Sequence, residues 1–135
     1  MTAKKGSYSA QVGHVMDFMS TFTELTGATY PKEYKGHAIT PTTGVSLVPS
    51  FRGKVVAGHA SLFNEHFGAR YARSGNWKLV SASRDSTWHL FNLATDKSEM
   101  QDVAAQYPDK VRQLESQWHQ WATTHQVFPK PGKKK

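Results

Sequence analysis

The densest group of polar side chains in the sequence is Asn64-Glu65-His66-Phe67-Gly68-Ala69-Arg70. Arginine offers a planar fork of donors that matches an anion, and histidine near neutral pH offers a proton or a hydrogen bond. Glu65, His66 and Arg70 therefore read as an anion- or sugar-binding loop, with a solvated surface patch as the plainer alternative. Seven histidines, at positions 14, 37, 59, 66, 89, 119 and 125, raise the question of a metal. None falls in an HExxH pattern, and His119 and His125 are spaced for different faces of a helix, so no metal site is expected. The chain has no cysteine, which excludes disulfides, thiolate ligands and a cysteine nucleophile. A glycine-rich phosphate loop, a serine nucleophile elbow and an acidic ion-binding loop are missing too. Asp85 with Thr87 fits a turn better than chemistry.

Charge narrows the function classes. The chain has 135 residues and a formal charge of +7, which invites a nucleic-acid reading. Six of its 17 basic residues, however, are Lys4, Lys5, Lys130, Lys133, Lys134 and Lys135. Residues 6–129 carry 11 Lys and Arg against 10 Asp and Glu, so the body is nearly neutral. Its tryptophans sit at core-like spacings rather than on a stacking platform, and no specific nucleic-acid partner is expected. The start, MTAKKGSYSAQ, has no apolar signal region, and no stretch reaches the roughly 20 apolar residues of a membrane span.

The elements that would position these groups follow from periodicity. Residues 1–10 read as a flexible lead-in. Val12, Val15, Met19 and Phe22, with Phe18 and Leu25 beside them, predict an amphipathic helix of about 14 residues over 12–26, stopped by Gly27. From 28 to 60 the chain is broken by Pro31, Gly36, Pro41, Gly44, Pro49, Gly53 and Gly58, and only Val45-Ser46-Leu47-Val48 reads as a short extended or turn-like segment. Three or four strands follow, with Trp77, Leu79 and Ser81 on one face and Trp88, Leu90 and Asn92 on one face of the last strand. Ser98 with Gln101 suggests a capped short helix through Tyr107. Pro108 opens a helix of about 16 residues whose apolar side carries Val111, Leu114, Trp118, Trp121 (or Ala122) and His125. Pro129 ends regular structure. The expected fold class is α+β: a small antiparallel sheet packed against a long C-terminal helix, preceded by an N-terminal helix and an irregular Pro/Gly-rich segment. Its expected core is Trp77, Leu79, Trp88, Leu90, Leu114, Trp118 and Trp121.

From Gly13 to about Pro129 the sequence resembles the C-terminal end of a sulfatase of the bacterial arylsulfatase type. Gly13-His14-Val15-Met16-Asp17-Phe18-Met19-Ser20-Thr21-Phe22 is similar to the family's GHVIDIMPT helix, with Ser20 where proline is usual. Leu25-Thr26-Gly27-Ala28 and Tyr30 to His37 resemble the turn that follows, and Gly44-Val45-Ser46-Leu47-Val48-Pro49 resembles GxSLxP. Phe63 to Arg70 resembles WEHEGNRA, with Ala69 where asparagine is common; Arg73 to Val80 resembles RxGxWKLV. Trp88 to Leu93, followed by Asp96, Glu99 and Asp102, resembles WELYDLxxDxxExxDLA.

The resemblance implies a sulfuric ester hydrolase family whose nucleophile is a formylglycine matured from Cys/Ser-x-Pro-x-Arg, beside a calcium ion. That motif is absent here, and Pro49-Ser50-Phe51-Arg52 has its proline on the wrong side of the serine. Neither calcium nor formylglycine is thus expected in this chain, nor any catalytic residue, and turnover by the chain alone is not expected. By the same layout, residues 11–60 would finish or border the large domain, 61–128 would form the small C-terminal subdomain, and 129–135 a basic tail. His66, helped by Glu65 and Arg70, would be substrate-side. Residues 11–60 would meet a missing N-terminal sulfatase domain or a second copy of the chain, and a sulfated carbohydrate is the ligand class implied. A small non-enzymatic module that binds a protein or an acidic glycan is the alternative.

Overall fold

A computed structural model describes residues 6–83 and 86–128. The tail lysines, half of the lead-in, the Arg84-Asp85 step before the last strand and the stop at Pro129 lie outside the described residues. The chain divides into two compact units, Met1–His59 and Ala60–Lys135.

The first unit contains α1 (Asp17–Thr26), β1 (Glu33–Tyr34), β2 (His37–Ala38) and α2 (Val48–Phe51). Helix α1 is shorter than the apolar spacing predicts, because residues 12–16 are not helical. The Asp17 carboxylate turns back and accepts the His14 N–H at 2.8 Å, which closes a turn where a longer helix would have continued. Its C-terminal end is where glycine predicts it, with Gly27 in the left-handed region at φ 68°. The Thr21, Thr23 and Thr26 hydroxyls donate to the carbonyls of Asp17, Met19 and Phe22, so these weak helix formers hide their polar groups along the helix itself. The Val45–Val48 stretch, expected to be extended or turn-like, leads into the single turn of α2, whose Val48 side chain is buried. Pro49 in that first turn gives up no hydrogen bond. The hairpin of β1 and β2 was not anticipated; its turn is Lys35-Gly36, both with positive φ.

The second unit is a four-stranded antiparallel meander, β3 (Leu62–His66), β4 (Ala69–Ser74), β5 (Trp77–Ser81) and β6 (His89–Asn92), covered by α3 (Pro108–Thr124). The predicted α+β arrangement, sheet against C-terminal helix, is therefore present. Phe63, Ala72, Leu79 and Leu90 are in register across the four strands, forming one apolar row. Helix α3 lays Leu114, Trp118 and Ala122 on it, four residues apart and all buried. Trp77, Trp88 and Trp121 pack around that centre, half-buried. Trp121 stacks on Phe63 at 5.6 Å, and Trp77 tilts against Tyr107 at 5.0 Å. Two of the indole N–H groups find acceptors: Trp118 donates to the Asn64 carbonyl at 3.0 Å, and Trp88 to Glu115 at 2.9 Å.

The short helix expected from Ser98 to Tyr107 does not form. Acidic side chains take over the backbone instead. Asp96 accepts the Gln101 N–H, and Asp102 accepts those of Leu90 and Ala104, while Glu99 sits at φ 57° and pairs with Lys78 at 2.5 Å. Side-chain acceptors within two to five residues compete with the helical ladder and fold the stretch into turns.

Candidate functional site

The loop singled out by its chemistry is the β3–β4 hairpin. Its two-residue turn, Phe67-Gly68, connects the paired His66 and Ala69, and both turn residues have positive φ. The Glu65 carboxylate accepts the Gly68 N–H at 2.8 Å and so ties the turn to its own strand. Glu65 and Arg70 are direct cross-strand partners on the face that carries Phe63 and Ala72. His66, one residue on, faces the other way and is exposed. Its ring meets Phe67 edge-on at 4.5 Å. The three predicted residues thus lie at one end of the sheet without converging on one point.

Arg70 is committed inward. Its guanidinium carbon lies 4.7 Å from the centre of the Trp88 ring and 5.3 Å from that of Trp118. The Nε is buried and has no hydrogen-bond partner, so the two indole faces take the place of an acceptor. Of the three, His66 offers the most freely placed polar group.

A second constellation, in the first unit, escaped the sequence reading. Asp17 is 1% exposed. Its Oδ2 accepts the His14 N–H, and its Oδ1 accepts the Val45 N–H at 2.8 Å and faces His59 Nε2 at 2.6 Å. Burial alone would raise the Asp17 pKa, but the N–H groups of Val45 and His14 and the His59 imidazole outweigh it and hold the carboxyl below its ordinary value. Beside it, the Thr21 hydroxyl accepts the Leu47 N–H at 3.0 Å and Ser20 donates to the Gly44 carbonyl at 2.9 Å. Helix α1 thereby grips an irregular strand of chain with its polar face. Gly44 makes this possible, since a Cβ there would stand 2.1 Å from the Met16 carbonyl oxygen. The opposite face is apolar and uncovered: Val15, Phe18, Met19, Phe22 and Leu25 are all exposed. The one signal for the carboxylate was its position opposite the stripe; His59 is 42 residues away, with no spacing to reveal it.

No protein-family model matches the chain. It is 29% identical over 110 residues to an uncharacterized sulfatase of Schizosaccharomyces pombe, covering 77% of this chain and 20% of that protein. Among solved structures, it superposes with TM-score 0.60 and 19% identity on a sulfatase from work on glycosaminoglycan metabolism by Bacteroides thetaiotaomicron, over 79% of this chain and 24% of the other. A structure solved with its substrate D-glucosamine-2-N,6-O-disulfate aligns with TM-score 0.57 and 18% identity, over 87% and 25%. The chain resembles the C-terminal region of the sulfatases. It spans about a fifth to a quarter of the length of the relatives it matches.

The sulfatase resemblance implies calcium and formylglycine, so the donor set matters. Among the described residues no three of His, Cys, Asp and Glu gather where they could hold a metal ion. Asp17, a buried carboxylate, has its oxygens taken by two backbone N–H groups and an imidazole. These residues do not fit that centre. No helix among the described residues is long and apolar enough to cross a membrane.

Proposed function

We propose that the chain serves as the C-terminal, substrate-facing portion of a sulfatase that acts on a sulfated carbohydrate, and that it works with a large α/β domain of that family rather than as a catalyst by itself. The observation that carries this reading is the burial of α1. Its polar residues Asp17 and Thr21 are buried, while its four large apolar ones, Phe18, Met19, Phe22 and Leu25, are exposed, as is Val15 just before it. An apolar helix face of that extent calls for a cover, and the cover proposed is the α/β domain that makes up most of each relative's length. The second unit then contributes the β3–β4 hairpin, with His66 as its substrate-side group. The sugar class is supported by the fold, shared with proteins whose substrates are described as glycosaminoglycans or a glucosamine disulfate.

The test has two arms. Co-expression with the α/β domain of the fungal relative should yield a complex that co-purifies, and Met19→Ser with Phe22→Ser should abolish it. The pure chain, given an aryl sulfate and calcium, should show no hydrolysis. Failure to form the complex, or turnover by the pure chain, would overturn the reading. A concentration-dependent dimer that loses its dimerisation in the same double variant, with no complex formed, would instead favour the self-associating module.

A further inference from the structure

The geometry points to Phe67 as a stacking platform for a sugar ring, an assignment that rests on the substrate-facing reading of the hairpin. Phe67 is 87% exposed, and its φ of 49° lies in the left-handed region, where a bulky side chain is an outlier. A two-residue hairpin with both φ values positive ordinarily takes Asn-Gly or Asp-Gly. The same chain shows what it does elsewhere. Its other tight hairpins turn on Lys35-Gly36 and Gly75-Asn76, small or polar pairs; Lys35 also has positive φ, but neither turn pair contains an aromatic. At Phe67-Gly68 the fold accepts backbone strain and an exposed apolar ring together. Strained, over-determined positions concentrate where a ligand is held.

The turn around the ring is fixed by its neighbours. His66 meets the ring edge-on at 4.5 Å, and the Glu65 carboxylate fixes the N–H of Gly68, the residue that follows Phe67. The strand that leads into the turn is polar, with exposed Asn64 and His66 and half-buried Glu65, and the turn holds no second large apolar side chain. Protein partners dock on contiguous apolar patches with a dry centre. A lone aromatic face with an imidazole at its edge matches a pyranose ring instead: its axial C–H groups lie on the ring, and its hydroxyls reach polar groups beside it. Phe67 would thus recognise the sugar itself, while the charge of a sulfate is left to other groups.

Titration of the full chain by NMR, with a chondroitin sulfate tetrasaccharide and its desulfated counterpart, tests this. Phe67→Asn relieves the strain, so its melting temperature should equal or exceed that of the wild type. Its affinity for both oligosaccharides should fall by the same factor, about tenfold, and Phe67→Tyr should keep it. Unchanged affinity in Phe67→Asn, with a loss in His66→Ala, would overturn the platform and leave the substrate-facing hairpin standing. A loss in Phe67→Asn confined to the sulfated form would also overturn it. Binding of neither oligosaccharide by the wild type would overturn both.

Discussion

Trp118→Ala should unfold most of the second unit. The side chain is fully buried, between the sheet and the rest of α3. Truncating a buried aromatic costs about 3–5 kcal/mol in lost transfer and cavity. Here the change also strands the Asn64 carbonyl, about 1 kcal/mol, and removes one of the two rings that face Arg70, about 0.5–1 kcal/mol. These contributions share atoms and do not add fully, so the working figure is about 5 kcal/mol. A unit the size of Ala60–Lys135 holds about 4–11 kcal/mol in all. At about 4–8 °C per kcal/mol, the melting point should drop by at least about 20 °C. All four tryptophans, Trp77, Trp88, Trp118 and Trp121, lie in this unit, so tryptophan fluorescence follows it without interference from the other. Trp118→Phe, which keeps much of the volume and loses the indole N–H, should cost about 1–2 kcal/mol. A Trp118→Ala melting curve within a few degrees of wild type would refute the packing argument, because no rearrangement of this sheet can fill so large a space cheaply.

Two further outcomes are expected. Asp17 titrates below its ordinary value, against the pull of burial; Asp102 does so for the same balance of burial against the N–H groups of Ala104 and Leu90 and the His89 imidazole, and Asp96 through the Gln101 N–H. A carboxyl depressed on folding contributes stability that is complete above its unfolded pKa of about 3.9 and disappears as pH falls through the folded value. Denaturant midpoints should therefore show no loss from these groups between pH 5 and 7 and a steep loss below about pH 4; Asp17→Asn should flatten that acid limb, and an unchanged limb would refute its role. Gly44→Ala drives a methyl into the Met16 carbonyl, which cannot move without breaking α1, and should cost the first unit about 3 kcal/mol. Gly53→Ala, with left-handed φ but open space, should cost about 1 kcal/mol, and limited proteolysis that ranks the two the other way would contradict the close-approach account.

What was legible in the sequence depended on the range of the forces. The sheet and α3 were readable because period-two and period-3.6 patterns record which face meets the core, and Leu79, Leu90, Leu114 and Trp118 are where those patterns place them. Gly27 and Pro108 marked helix ends by backbone rules that need no tertiary context. The stretch from Ser98 to Tyr107 misled, since a capping pattern is outweighed when Asp96 and Asp102 find nearer N–H groups. Arg70 looked like a ligand group from its type alone; only the fold shows two indoles against it. The Asp17–His59 pair was illegible because no periodicity links a helix to an irregular segment 42 residues on.

Helix α1 decides how the first unit should be understood. In an ordinary surface helix the apolar stripe supplies the stability and the polar face meets water. Here the polar face holds the unit together through Asp17, Ser20 and Thr21, each bonded to backbone of the 44–47 stretch. Such bonds contribute only about 1 kcal/mol apiece, because they replace bonds to water. Covering Val15, Phe18, Met19, Phe22 and Leu25, each now about half exposed or more, would contribute about 1 kcal/mol per side chain. The uncovered face is therefore worth about as much as the bonds that shape the unit. A helix arranged this way uses its polar side to fold its own chain, and the proposed cover is what would bring its apolar side out of water.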